Sequence, residues 1–207
     1  LLLDPDDRTI LRRIWALTWP MMAYYVLELT VGLVDLVMVR PFGPSATAAV
    51  GVSRQVIFLV EATIVAVSTG VITLVSQAVG AQAWERVDTI VRQSLRLVFL
   101  MAVPTTLAGV VLSRPLLVWL SAGPELLAQG VPYLHLYFAG IVFLWGNLIG
   151  TSLFRGAGDV WTPLAVALGV NLVHVGWNYL FMYGAGPLPA LGAPGAAVGT
   201  VAARACG

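Results

Sequence analysis

Apolar runs of about twenty residues or more, separated by short polar or Gly/Pro-rich connections, decide what this chain can fold into. From Ile14 to Val39 there is no arginine, and Glu28 and Asp35 are the acids present. As a helix rising about 1.5 Å per residue this run is ~39 Å long, more than the ~30 Å hydrocarbon core of a bilayer, so a tilt or a kink near Pro20 is expected. Comparable runs lie at about 46–79, 89–112 (with Pro104 inside), 132–154 and 163–183, and a sixth opens near Ala196. Hydrocarbon offers no partner for a bare N–H or C=O, so each run is predicted to be a helix. The fold class is therefore an all-α polytopic membrane protein, with an interfacial segment at 1–13 and a transmembrane lobe at 14–207 whose sixth helix is incomplete.

Composition agrees. Charged residues make up 10% of the chain and hydrophobic ones 59%, whereas soluble domains carry roughly 25% charged residues. The mean hydropathy is +0.90. All the cations are arginine and the net charge is +1, which leaves no basic stripe for nucleic acid. The single Cys206 allows no internal disulfide. A start at Leu1 without Met, and a stop inside an Ala/Gly-rich run at Gly207, lead us to expect a fragment.

Local signals mark several boundaries. DPDDRTILRR at 4–13 turns from acidic to basic, which suits an interfacial helix and has the reverse charge order of a secretory signal. Thr162 is the expected N-cap of the fifth span, with Pro163 at its first helical position. The stretch 114–132 between the third and fourth spans reads as a surface-lying helix plus turns. Arg8, Arg12, Arg13, Arg86, Arg92, Arg96 and Arg155 fall on one side of this topology, and Arg40, Arg54 and Arg114 on the other. That bias predicts a cytoplasmic N-terminus in the cell membrane. Trp15, Trp19, Trp84, Trp119, Trp161 and Tyr183 fall near span ends, as interfacial aromatics do.

No HExxH, GxSxG or GxxxxGK motif and no Cys/His cluster is present, so an enzyme is not expected. RGAGD at 155–159 reads as a tight turn with an Arg155–Asp159 pair. The informative residues are acids inside apolar runs. Ionising an isolated carboxylate there costs at least ~2.5–3.5 kcal/mol, so each needs a partner, a cavity or a raised pKa. Glu28 and Asp35 are seven apart and share a helix face. Asp35 has an alternative reading as an interfacial partner of Arg40, and Glu61, seven after Arg54, as a structural ion pair. Asn171, His174 and Asn178 form a polar stripe on the fifth span, which either lines a site or bonds neighbouring helices. His135 is expected at the interface, and Asn147 and Thr151 face either inward or a packed helix.

Several blocks give these residues a context: WPMMAYYVLELTVGLVDLVMV, with Pro20 fifteen residues before Asp35, GPSATAAVG at 43–51, GVITLVSQAVGAQ at 70–82, LFRGAGDVWTPL at 153–164, NLVHVGWNYLFMYG at 171–184 and LGAPGAAVGT at 191–200. In this order and spacing the chain resembles the multidrug and toxic compound extrusion (MATE) family over nearly its whole length. The resemblance implies twelve helices in two six-helix lobes, of which this chain matches the first, and an antiport of organic cations against protons or sodium. It sets Asp35 at the position of the family's first-helix aspartate, and Asn171, His174 and Asn178 at its fifth-helix polar positions. Histidine replaces an asparagine there, and Arg40 and Pro41 replace the family's usual glycine and polar residue.

The expected function is thus a cation-coupled secondary antiporter exporting organic cations, with a lipid-linked oligosaccharide flippase or a non-transporting scaffold or channel module as alternatives. Ion coupling is expected at Asp35, His174, Asn178 and Asn171, and substrate binding at Glu28, Tyr24, Tyr25 and Trp177. No cofactor is expected beyond the coupling ion, H⁺ or alternatively Na⁺. The expected partners are the lipid bilayer, a small organic cation and the second lobe of the same chain.

Overall fold

The computed structural model describes residues 5–184 and 189–207. Seven α-helices follow one another: α1 Pro5–Val39, α2 Pro44–Gly80, α3 Trp84–Trp119, α4 Pro124–Ala139, α5 Ile141–Gly156, α6 Trp161–Tyr183 and α7 Ala193–Ala205, with one 3-10 turn at Arg40–Phe42 between α1 and α2. No strand occurs among the described residues. Four of these helices, α1, α2, α3 and α6, are long and apolar enough to cross a membrane, and the bent pair α4–α5 makes a fifth crossing if it is one span. α7, with 13 residues, is too short for a complete span.

Large apolar side chains point outward all along the bundle. Leu29, Phe58, Leu100, Val111 and Leu172 are each 70% exposed or more. In water such a surface would associate; in lipid it is the solvated surface.

The boundaries differ from the sequence reading at several places. Residues 5–13 form no separate interfacial helix but continue into α1, because nothing before Pro20 interrupts the backbone ladder. The surface helix expected at 114–132 is absent. α3 runs through Pro115 to Trp119, a turn follows with Ser121 at φ 62°, and Pro124 then opens α4. A proline near a helix end removes one donor and leaves the rest of the ladder intact, so the helix continues rather than exposing more backbone to lipid.

α4 and α5 meet at Gly140 with a bend of 52°. Glycine is required there by packing: a Cβ on Gly140 would enter the side chain of Val201 on α7. The interrupted backbone is satisfied locally, since Thr106 Oγ1 of α3 donates to Phe138 O at 2.9 Å. This broken helix packs against α2, α3 and α7, around the fully buried Tyr133, Leu134, Phe138, Trp145 and Ile149. α6 packs against α7 and α1. Trp19 meets Trp161 at 4.9 Å and Tyr183 Oη donates to Met38 O at 2.7 Å, so α1 and α6 lie parallel and pair along their length.

Candidate functional site

Asp35, in the last third of α1, is 1% exposed. Both of its carboxylate oxygens face partners from other helices. His174 and Asn178, one turn apart on α6, reach the first oxygen: Asn178 Nδ2 donates to Asp35 Oδ1 at 2.6 Å, and His174 Nε2 lies 3.1 Å from the same atom. His174 Nε2 also lies 3.2 Å from Thr200 Oγ1, whose hydroxyl donates to Ala196 O at 2.9 Å. Thr200 has then spent its hydrogen and can only accept, and an ionised carboxylate only accepts, so the hydrogen on this imidazole belongs on Nε2. The second oxygen faces Arg54 of α2, with Nη1 at 3.7 Å from Asp35 Oδ2. That is an ion pair without hydrogen-bond geometry. The guanidinium fits there because residue 32, one turn before Asp35, is glycine; a Cβ at Gly32 would overlap it.

A second acid lies nearer the start of α1. Glu28 is gripped by Arg204 of α7, one guanidinium nitrogen on each carboxylate oxygen, with Nη1 to Oε1 at 2.9 Å. Arg204 Nη1 also donates to Asn147 Oδ1 of α5 at 3.2 Å, so this group ties three helices together. A third acid, Glu61 of α2, accepts from Tyr137 Oη at 2.6 Å. Asn171 donates to Leu27 O at 3.0 Å and serves as a tether between α6 and α1, away from Asp35.

The three acids open on one cavity of about 510 Å³, lined by Tyr24, Tyr25, Glu28, Asp35, Arg54, Glu61, Tyr137, Trp145, Asn147, Thr200 and Arg204 among others. Its size is that of a small-molecule pocket. Another cavity of about 450 Å³, between α2, α3 and the α4–α5 bend, carries no ionisable side chain. Three buried polar atoms, Ser53 Oγ, Trp145 Nε1 and Asn178 Oδ1, have no hydrogen-bond partner among the described residues. No grouping of three metal-ligating side chains occurs among the described residues.

The structure therefore sets His174 and Asn178 against Asp35, lines one cavity with Asp35, Glu28, Tyr24 and Tyr25, and places others apart. Trp177 stacks on Phe181 at 5.4 Å and is absent from the cavity wall. Asp35 pairs with Arg54 and not with Arg40, and Arg54 consequently does not pair with Glu61. His135 reaches Val110 O at 3.0 Å in a half-buried position between α3 and α4. The Arg155–Asp159 pair does not form. Arg155 sits 5.5 Å over the Tyr25 ring, while Asp159 Oδ1 accepts from the backbone N–H of Trp161 and Thr162, both at 3.0 Å. Asp159, not Thr162, thus caps α6, and the Thr162 hydroxyl bond with the two backbone bonds holds its carboxyl below the usual range. Arg204 and Tyr137 were missed. A lone arginine inside an apolar run was the available signal for the first, since such a charge needs an acid and Glu28 had none nearby.

Known proteins of the same organisation are found on comparison. The chain is 24% identical to the "Uncharacterized transporter YisQ" of Bacillus subtilis over 98% of its length and 44% of that protein. It is 33% identical to the "Multidrug resistance protein NorM" of Burkholderia vietnamiensis, over 84% of the chain and 37% of the relative. It thus spans about two fifths of the length of the curated relatives it matches. A solved MOP superfamily transporter from Pyrococcus furiosus superposes on 94% of the chain and 42% of its own, with a TM-score of 0.85 at 24% identity, which shows a shared fold. The MatE family model matches residues 20–180. With that match spanning more than half of a helical bundle built to lie in lipid, the chain belongs to the MatE family of membrane transporters.

Proposed function

We propose that this chain forms one lobe of a cation-coupled antiporter of the cell membrane that exports organic cations, with Asp35 as the coupling carboxylate and the N-terminal side of α1 in the cytoplasm. The observation that carries this reading is the buried Asp35 carboxylate on the wall of a cavity of about 510 Å³, with one oxygen held by His174 and Asn178 and the other open towards Arg54. A buried acid with such neighbours exchanges a small cation at a cost that depends on what else occupies the cavity. When a proton neutralises it, an organic cation loses an attractive charge; when the organic cation binds, the proton is favoured to leave. Each expels the other, which is the reciprocity that antiport needs.

Protons suit the site better than sodium. Sodium prefers a cage of oxygens, while His174 supplies an N–H at Asp35 Oδ1. An imidazole can both donate and accept a proton, and His174 lies directly against the carboxylate that would exchange one. A lipid-linked oligosaccharide flippase would need surplus positive charge for a diphosphate. Both arginines on the cavity wall already face carboxylates, Arg54 facing Asp35 and Arg204 facing Glu28.

The test uses the transporter expressed from its complete reading frame and reconstituted in liposomes. Asp35→Asn should abolish dye export while insertion and thermal stability persist, and a pH gradient without sodium should drive the wild type. Wild-type export by Asp35→Asn, or transport driven by a sodium gradient alone, would refute respectively the role of Asp35 and proton coupling.

A further inference from the structure

Three carboxyl side chains and two guanidinium side chains line the cavity, namely Glu28, Asp35 and Glu61 against Arg54 and Arg204. Their pairing is uneven. Glu28 is held by both guanidinium nitrogens of Arg204, which Asn147 also fixes, so this acid is not free to receive a ligand. Asp35 faces Arg54 and is enclosed by His174 and Asn178. Glu61 alone of the three forms no ion pair with an arginine among the described residues. Its contact is the phenol of Tyr137 at 2.6 Å, a neutral donor. Arg54, seven residues earlier on the same face of α2, reaches across to Asp35 instead. With two arginines facing two acids, Glu61 is the acid of this cavity left without a cationic partner among the described residues.

An unmatched carboxylate in a cavity within the membrane is costly unless a cation joins it. The surroundings of Glu61 select the kind of cation. Phe58, Tyr137, Leu144 and Trp145 line the same cavity and offer apolar and aromatic surface, on which a hydrated inorganic ion gains nothing and a desolvated organic cation gains dispersion and cation–π contact. We infer that Glu61 is the substrate-binding acid of this lobe, and that it takes the single positive charge of an aromatic or otherwise lipophilic organic monocation while Asp35 is kept for the coupling ion. The inference rests on the export reading above and divides its two cations between two acids. Substrate and coupling ion then compete through the field of the cavity and not for one carboxylate, and Tyr137 is a positioning residue that aims Glu61.

Equilibrium binding of tetraphenylphosphonium to the purified complete transporter, at one fixed pH and without any gradient, tests this separately from coupled transport. Glu61→Gln should weaken binding by about ten-fold or more, the scale of losing one charge-assisted contact, and Tyr137→Phe by a smaller factor. Wild-type affinity in a folded Glu61→Gln protein overturns the inference. The wild type offers a second measurement that no misfolded variant can spoil. A lipophilic carbodiimide should modify Glu61, located by mass spectrometry of the labelled peptide, and saturating tetraphenylphosphonium should protect it. Labelling that the cation leaves unchanged, or a Glu61 that the reagent never reaches, would equally sink the assignment.

Discussion

At the residue scale the site is built from contacts that a single atom can make or break. Arg54 stands beside Asp35 only because Gly32 has no side chain, and the Arg54 side chain is 45% exposed, so the pair is weak and movable. Gly32→Ala should therefore leave stability nearly unchanged, because the displaced group is the far end of a flexible side chain. It should slow turnover by about five-fold, equivalent to ~1 kcal/mol, as Asp35 relieved of Arg54 releases its bound cation more slowly. Arg54→Gln should do the same, and the double variant no more than either single one, because both remove one interaction. Additive losses in dye-efflux rates would mean that Gly32 acts through helix packing. What the sequence made legible here was what helical spacing can carry: His174 and Asn178, four apart, do converge on Asp35. The partner of Glu28 lies 176 residues away in Arg204, and no period within one helix points to it.

Elements follow the same division. The long spans could be read from their length and apolarity, since lipid leaves a backbone of that kind little choice but a helix. The bend between α4 and α5 could not. Gly140 looks like any glycine in an apolar run until Val201 of α7 is seen against it, and Pro132, which reads as a start signal, lies inside α4 while Pro124 opens it. The start of α6 was misplaced by a related ambiguity, because Asp159 and Thr162 both suit a cap and only the fold shows which oxygen meets the free N–H groups. That cap titrates. A carboxyl whose pKa is lower folded than unfolded adds stability above its unfolded pKa and loses it as pH falls through the folded one. Asp159→Ala should accordingly melt below the wild type at pH 7, with the two curves converging in acid, and Asp159→Asn, which keeps an acceptor, should fall between them. Circular dichroism melts in detergent across that pH range would check it; a gap that persists unchanged in acid would assign the effect to something other than the ionised cap.

On the scale of the whole molecule, the helices around the cavity are held by polar cross-links as well as by apolar packing. Asn171 ties α6 to α1, Tyr183 repeats the tie at their far end, and the Glu28–Arg204–Asn147 group joins α1, α7 and α5. The last of these has a consequence in time. Chains are made at about 5–20 residues per second, so two charges 176 residues apart are separated by roughly 10–35 s of synthesis. For that interval α1 sits in the membrane with an acid whose counter-charge does not yet exist, and α7 later brings in an arginine that lipid alone resists by about 2.5–3.5 kcal/mol. Each helix is thus a poor guest until the other arrives. Ribosome-stalled chains ending at Leu191 should be extracted from membranes more readily than chains that include α7, and Glu28→Gln should remove the difference. Equal extraction of the two lengths would mean that α1 neutralises its acid without waiting; otherwise the bilayer holds an early helix on credit until a late one completes it.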